Sequence, residues 1–164
     1  MYGFKTEVLD KYGKLEKIYD YFVDLFKSLS LGHILNKQVL VVQGGLFSTD
    51  WVTIAQIKSI DRFKDIPESG LMSELLWSNL CKENGRFPSK RGVGMSFGRD
   101  IAKKFLEENN LKLLVRSYEV KMNEYEIESG NQVITIFSAY NYCDQIGNKG
   151  AIITFKGQEI LEPN

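Results

Sequence analysis

A chain of 164 residues, 43% hydrophobic and 26% charged, has the composition of a globular domain and not of a disordered or fibrous polymer. Lysine plus arginine equals aspartate plus glutamate at 21 each, so the physics is not that of a nucleic-acid or membrane-surface binder, and neither is an expected partner. Apolar runs such as Val39 to Val42 and Ala151 to Ile153 are too short to span a bilayer. Met1-Tyr2-Gly3-Phe4-Lys5 does not open a signal peptide, and the expected location is cytoplasmic.

No internal repeat, low-complexity tract or linker interrupts the chain, and residues 1–164 read as a single domain. From Glu7 to Leu31, Val8, Leu9, Tyr12, Leu15, Ile18, Tyr19, Phe22, Leu25, Phe26 and Leu29 recur at steps of three and four, which predicts amphipathic helix broken near Gly13. Val39 to Val42 is a β-rich run that stops at Gln43-Gly44-Gly45, a buried strand feeding a sharp turn. Asp61 to Gly70, around Pro67, is the one loop-like shift in composition.

Thr53-Ile54-Ala55-Gln56 has capping-box spacing, so a short helix starts there with Ile54, Ile57 and Ile60 facing inward. Gly98 to Asn109 predicts a helix burying Ile101, Ala102, Phe105 and Leu106, stopped by Asn109-Asn110. A strand at Leu111 to Arg116 follows. Tyr125 to Glu128 and Gln132 to Phe137 flank Ser129-Gly130-Asn131 as a hairpin. Gly150 to Phe155 reads as a last strand, with Lys156-Gly157 turning after it. Helices dominate the first half and strands the second, a mixture that places helices on a mixed sheet.

Candidate chemistry is sparse. Gly92 to Gly98 precedes a helix, yet its spacing matches neither the dinucleotide fingerprint nor the phosphate-loop pattern. His33 is the only histidine. It sits in a helix-to-strand connection without a neighbouring acid or thiol, so no metal site or nucleophilic triad forms around it. Cys81 and Cys143 are far apart without metal-ligand spacing and read as reduced structural thiols. Phe137 to Asp144 packs aromatics beside polar groups at a strand end, as site-lining loops and packed corners both do.

Six segments together resemble one family: Met1-Tyr2-Gly3-Phe4, Gln43-Gly44-Gly45-Leu46, Leu75-Leu76-Trp77-Ser78, Lys90-Arg91-Gly92-Val93, Arg116-Ser117-Tyr118-Glu119-Val120, and Phe137 to Asp144. In order and spacing the chain is similar to the carboxy-terminal half of the catalytic domain of phosphoprotein (serine/threonine) phosphatases, closest to the type-5 branch. The resemblance implies an α/β fold, half of a calcineurin-like metallophosphoesterase with mixed β-sheets flanked by helices. It also implies hydrolysis of phosphoserine or phosphothreonine by a hydroxide held between two metal ions (Mn, Fe or Zn), which acidify water and neutralise phosphoryl charge. Arg91 matches a phosphate-gripping arginine, whose fork suits two oxygens, and Tyr142 matches a tyrosine lining the same pocket.

The departures from the family are specific. Its Asp-, His- and Asn-rich motifs belong to the half that would precede Met1. Two further metal-ligating histidines, at the head of Gly-Gly-Leu and inside Arg-Ser-His-Glu, are Gln43 and Tyr118 here. An amide oxygen is the weaker ligand, and a phenol must lose a proton of pKa about 10. The family's Trp-Ser-Asp-Pro is Trp77-Ser78-Asn79-Leu80, and its Ala-Pro-Asn-Tyr is Ala139-Tyr140-Asn141-Tyr142.

The expectation is therefore a truncated, catalytically inactive phosphatase-like protein that keeps its scaffold, with no intact catalytic residue and no cofactor of its own. Gln43 and Tyr118 are its degenerate metal positions. The rival readings are a phosphatase completed by a longer isoform or second chain, and a non-catalytic scaffold binding phosphoproteins or phosphatase regulators through Arg91 and Tyr142. Strands that would pair with an absent half would show bare edges, for which a homodimer or a complementing chain is the expected cover.

Overall fold

The computed structural model describes residues 3–13 and 15–156. Within the stretch read from sequence as one division, chain contacts group into two compact units: residues 1–30 with 61–66, and residues 31–60 with 67–164.

The first unit holds two helices, α1 (Phe4–Lys11) and α2 (Glu16–Ser28). The predicted break is where the sequence placed it: Tyr12 caps α1 by donating its amide to the Val8 carbonyl, and Gly13 follows at φ +68°. A residue with no Cβ turns the chain there without strain. Phe4 sits among Tyr19, Phe22 and Phe26, meeting Phe22 edge-on at 5.2 Å. Residues 61–66 attach through a Lys27–Asp65 ion pair of 3.0 Å and an Arg62 hydrogen bond to the Ser28 carbonyl.

The second unit is built on two mixed sheets. The larger runs in the order β1 (Gly32–Leu35), β2 (Val39–Val42), β6 (Leu113–Arg116), β8 (Val133–Ile136), β7 (Tyr125–Glu128). The inner three strands are parallel, and each edge strand joins its neighbour antiparallel. Such inner strands are covered on both faces and so read as continuous apolar runs, as Val39 to Val42 does. The smaller sheet orders β3 (Asn79–Leu80), β5 (Met95–Phe97), β4 (Arg86–Pro88).

Strand alternation sends Leu40, Val42, Leu114 and Val133 to one face, against Phe47, Leu75, Phe97, Phe105 and Leu106. Val39, Leu113, Val115 and Ile134 go to the other, with Ile153 and Phe155 packed on them. Each fully buried side chain of this kind stabilises by roughly 1.5–3 kcal/mol. Among the described residues three α-helices complete the unit: α3 (Ile54–Lys58), α4 (Leu71–Trp77) and α5 (Arg99–Glu108).

Thr53 caps α3 as predicted, its hydroxyl accepting from the Gln56 amide while the Gln56 side chain accepts from the Thr53 amide. Ile54, Ile57 and Ile60 pack on the core. No helix among the described residues is long and apolar enough to cross a membrane.

Three expectations need correction. His33 lies not in a connection but on β1, exposed, opposite Val41. Gly150 to Phe155 forms no strand: its exposure alternates, but it joins no sheet ladder, and it is tethered by the Ser138 hydroxyl bond to the Ala151 carbonyl and by Ile153 and Phe155. The predicted strand at Leu111 begins only at Leu113, because the Leu111 amide still closes the turn after α5 onto the Leu106 carbonyl. Of the turn expected at Lys156-Gly157, Gly157 lies outside the described residues.

Candidate functional site

The three parallel strands β2, β6 and β8 point their carboxyl ends the same way, so the loops that follow them emerge along one sheet edge. In open sheets of this type that edge is where ligands bind. Gln43 leaves β2 there, Ser117 and Tyr118 leave β6, and Phe137 leaves β8. The first two loops are stitched together one step past the ladder, where the Ser117 amide donates to the Gln43 carbonyl at 3.1 Å.

Two glycines let the helical side of the unit close on this edge. The Gly44 amide donates to the Leu75 carbonyl at 2.8 Å, and a Cβ on Gly44 would lie 2.5 Å from the Leu76 carbonyl carbon. A Cβ on Gly94, at φ +66°, would lie 2.7 Å from the Trp77 carbonyl carbon. The last turn of α4 is thereby pressed onto the loop, and Trp77 is delivered beside Tyr118 with the rings edge-on at 5.9 Å and 85°. On Tyr118 itself sits Arg91, its guanidinium carbon 4.3 Å from the ring centroid. The Tyr118 hydroxyl is buried without a hydrogen-bond partner.

Below this group lies a buried cation that sequence reasoning missed. Arg116, the last residue of β6, is fully buried. Its Nε donates to the Gly44 carbonyl at 2.5 Å, and its Nη1 donates to Glu119 at 2.9 Å and to the Thr135 hydroxyl at 3.3 Å. Its Nη2 donates to Asn79 Oδ1 at 3.3 Å. Burial pulls the guanidinium below the ordinary arginine range, and the Glu119 carboxylate pulls it back. Asn79 stands where the family resemblance has aspartate, so it keeps the acceptor and drops the charge. The signal was an arginine closing the apolar run Leu113-Leu114-Val115, since a charge at the end of a doubly covered strand must find partners.

The third loop turns on Asn148, which is buried. Its Nδ2 donates to the Ala139 and Lys149 carbonyls, and its Oδ1 and its carbonyl accept from the Tyr142 and Asn141 amides. Asn141, Cys143 and Asp144 all have positive φ, a strained run that this clamp holds in place. Tyr142 is exposed and meets Phe137 edge-on at 5.3 Å.

The structure thus brings Arg91 onto Tyr118 and joins the Gln43 backbone to Ser117. No hydrogen bond or ring contact joins Tyr142 to Arg91 among the described residues. The two cysteines are free, Cys81 half-buried and Cys143 exposed. Burial pushes the Cys81 thiol up, against activation.

The resemblance implies a two-metal centre at this edge, and the donors among the described residues fall short of the ligand set one would need. Among the described residues no three His, Cys, Asp or Glu side chains converge on one point. The two positions expected to ligate offer an exposed amide and a phenol whose ring already carries a guanidinium, and a cation there repels a second one.

Fold and sheet edge together define a phosphoesterase scaffold, and residues 4–117 match the family model for calcineurin-like phosphoesterases. The chain belongs to that family. It is 54% identical to serine/threonine-protein phosphatase 5 of Arabidopsis thaliana over all 164 residues, which cover 30% of that protein. It is 55% identical to serine/threonine-protein phosphatase T of Trypanosoma brucei brucei over 161 residues, 98% of this chain and 34% of the relative. A solved protein serine/threonine phosphatase from Saccharomyces cerevisiae superimposes with a TM-score of 0.85 at 41% identity, covering 92% of this chain and 46% of that one. The chain therefore spans about a third of the length of these curated relatives.

Proposed function

We propose that this chain is a pseudophosphatase module of the serine/threonine phosphatase class, whose own residues do not sustain metal-dependent hydrolysis. One observation carries the reading. At a position where the family places a metal-ligating histidine stands Tyr118, its hydroxyl sealed and its ring under the Arg91 guanidinium. Gln43, the other substituted position, strengthens it.

The test is metal analysis of the purified chain together with a phosphoserine-peptide assay in added Mn. The expected result is no stoichiometric Mn, Fe or Zn and no turnover above buffer. Turnover that disappears in Arg91→Ala overturns the reading.

A second reading concerns what the retained site is for. Arg91 makes no ion pair, and its guanidinium donates to no protein acceptor among the described residues. A fork with all its donors unused suits recognition of a phosphorylated protein without cleavage. Titration with matched phosphorylated and plain peptides separates the outcomes, and equal affinities for the two remove this second reading.

A further inference from the structure

We propose that Tyr118 is a positioning residue that holds the Arg91 guanidinium on its ring face, so that the site presents a fixed cation to an oxyanion without a metal. The inference rests on the phosphate-recognition reading above only for the ligand class, a phosphate dianion.

The ring is a stable platform. Trp77 fixes one side of it edge-on at 5.9 Å, and the Ser117 amide bond to the Gln43 carbonyl fixes the backbone one residue before it. Its hydroxyl contributes no hydrogen bond, so packing alone sets its orientation. Arg91 at 4.3 Å is well inside the roughly 6 Å reach of a cation–π contact. A guanidinium held by the negative face of a ring spends none of its N–H donors, whereas one held by a carboxylate spends two. The ring also removes rotamer freedom from a long side chain before any ligand arrives, a cost that binding then need not meet. The substitution that subtracts a metal ligand thus adds a support for the remaining cation.

The experiment uses the 164-residue chain labelled with nitrogen-15. The Arg91 Nε–Hε resonance, assigned by its loss in Arg91→Lys, is expected to be displaced upfield by the Tyr118 ring current. It should stay displaced in Tyr118→Phe and return toward the free arginine position in Tyr118→Leu. Inorganic phosphate, titrated in EDTA, should bind as it does without chelator, about two- to fivefold weaker in Tyr118→Leu, with Tyr118→Phe recovering the loss.

An undisplaced resonance in the wild-type chain overturns the proposal, and that spectrum decides even if Tyr118→Leu fails to fold. Phosphate binding abolished by EDTA also overturns it. A displaced resonance that follows the ring, with no phosphate binding, leaves Tyr118 as the platform and removes the phosphate reading instead.

Discussion

Arg116 Nε and the Gly44 carbonyl oxygen, 72 residues apart in the chain, meet at 2.5 Å inside the protein. This bond fastens the loop after β2 to the end of β6, and the same guanidinium reaches Asn79, Thr135 and Glu119. One side chain therefore sets the spacing of three segments around the candidate site. Arg116→Met keeps the stem and deletes the head, leaving the Gly44 carbonyl and the Thr135 hydroxyl without their donor. With charged hydrogen bonds worth roughly 1.5–3 kcal/mol each and partial relaxation, we expect a loss of about 3 kcal/mol in urea unfolding. Glu119→Gln on that background should recover part of it, because it removes a carboxylate left with Lys121, 4.0 Å away, as its one remaining ion-pair partner among the described residues.

Gly44 and Gly92 make a matched pair for testing close approach against backbone strain. A Cβ at Gly44 would lie 2.5 Å from the Leu76 carbonyl carbon and 2.7 Å from the Trp77 nitrogen, backbone atoms that yield only if α4 moves. Gly92 has open space around it but φ +75°. Gly44→Ala should cost about 1–3 kcal/mol by overpacking and lower the melting temperature more than Gly92→Ala, which pays for the left-handed backbone alone. The reverse order would mean that the loop-to-helix contact is loose.

The Asp50 carboxylate accepts from Lys104 at 2.7 Å and from Arg86 at 2.5 Å. The Lys104 bond foremost, then the Arg86 bond, hold its pKa below the ordinary 3.8. A depressed acid stabilises the fold above its unfolded pKa and ceases to do so as pH falls through the folded one. The stability gap between wild type and Asp50→Asn should thus be constant from neutral pH to about 5 and close below about 4. Urea midpoints measured across that range check it, and a gap that persists at the acid end contradicts it.

What was legible in the sequence were the elements with a local chemical signature. Thr53 and Gln56 announce a helix start, Val39 to Val42 announces a strand covered on both faces, and Gly130 with Asn131 supplies the positive φ of the β7–β8 turn. β1 escaped because its burial is only partial and because its turn, closed by the Gln38 amide on the Leu35 carbonyl, takes positive φ at Asn36 and Lys37 without a glycine to mark it. The smaller sheet has strands of two or three residues, too short for any periodicity to show. At the site, only the family pattern marks Arg91 and Tyr118. Their stacking depends on parallel pairing of β2 with β6 and on the approach of α4, neither of which a local window contains. Arg116 closes an apolar run, which hints at buried partners, but which groups receive its donors is a property of the assembled sheet.

The ladder between β2 and β6 ends at Val42 opposite Arg116, and Gln43 and Tyr118, where the family resemblance implies metal-ligating histidines, follow one and two residues later. The candidate site thus lies on the overhang of the sheet, while folding is secured by the woven part behind it. Such a division lets the overhang drift: coordinating groups can erode, or be rewritten, without a penalty in the fabric that carries them.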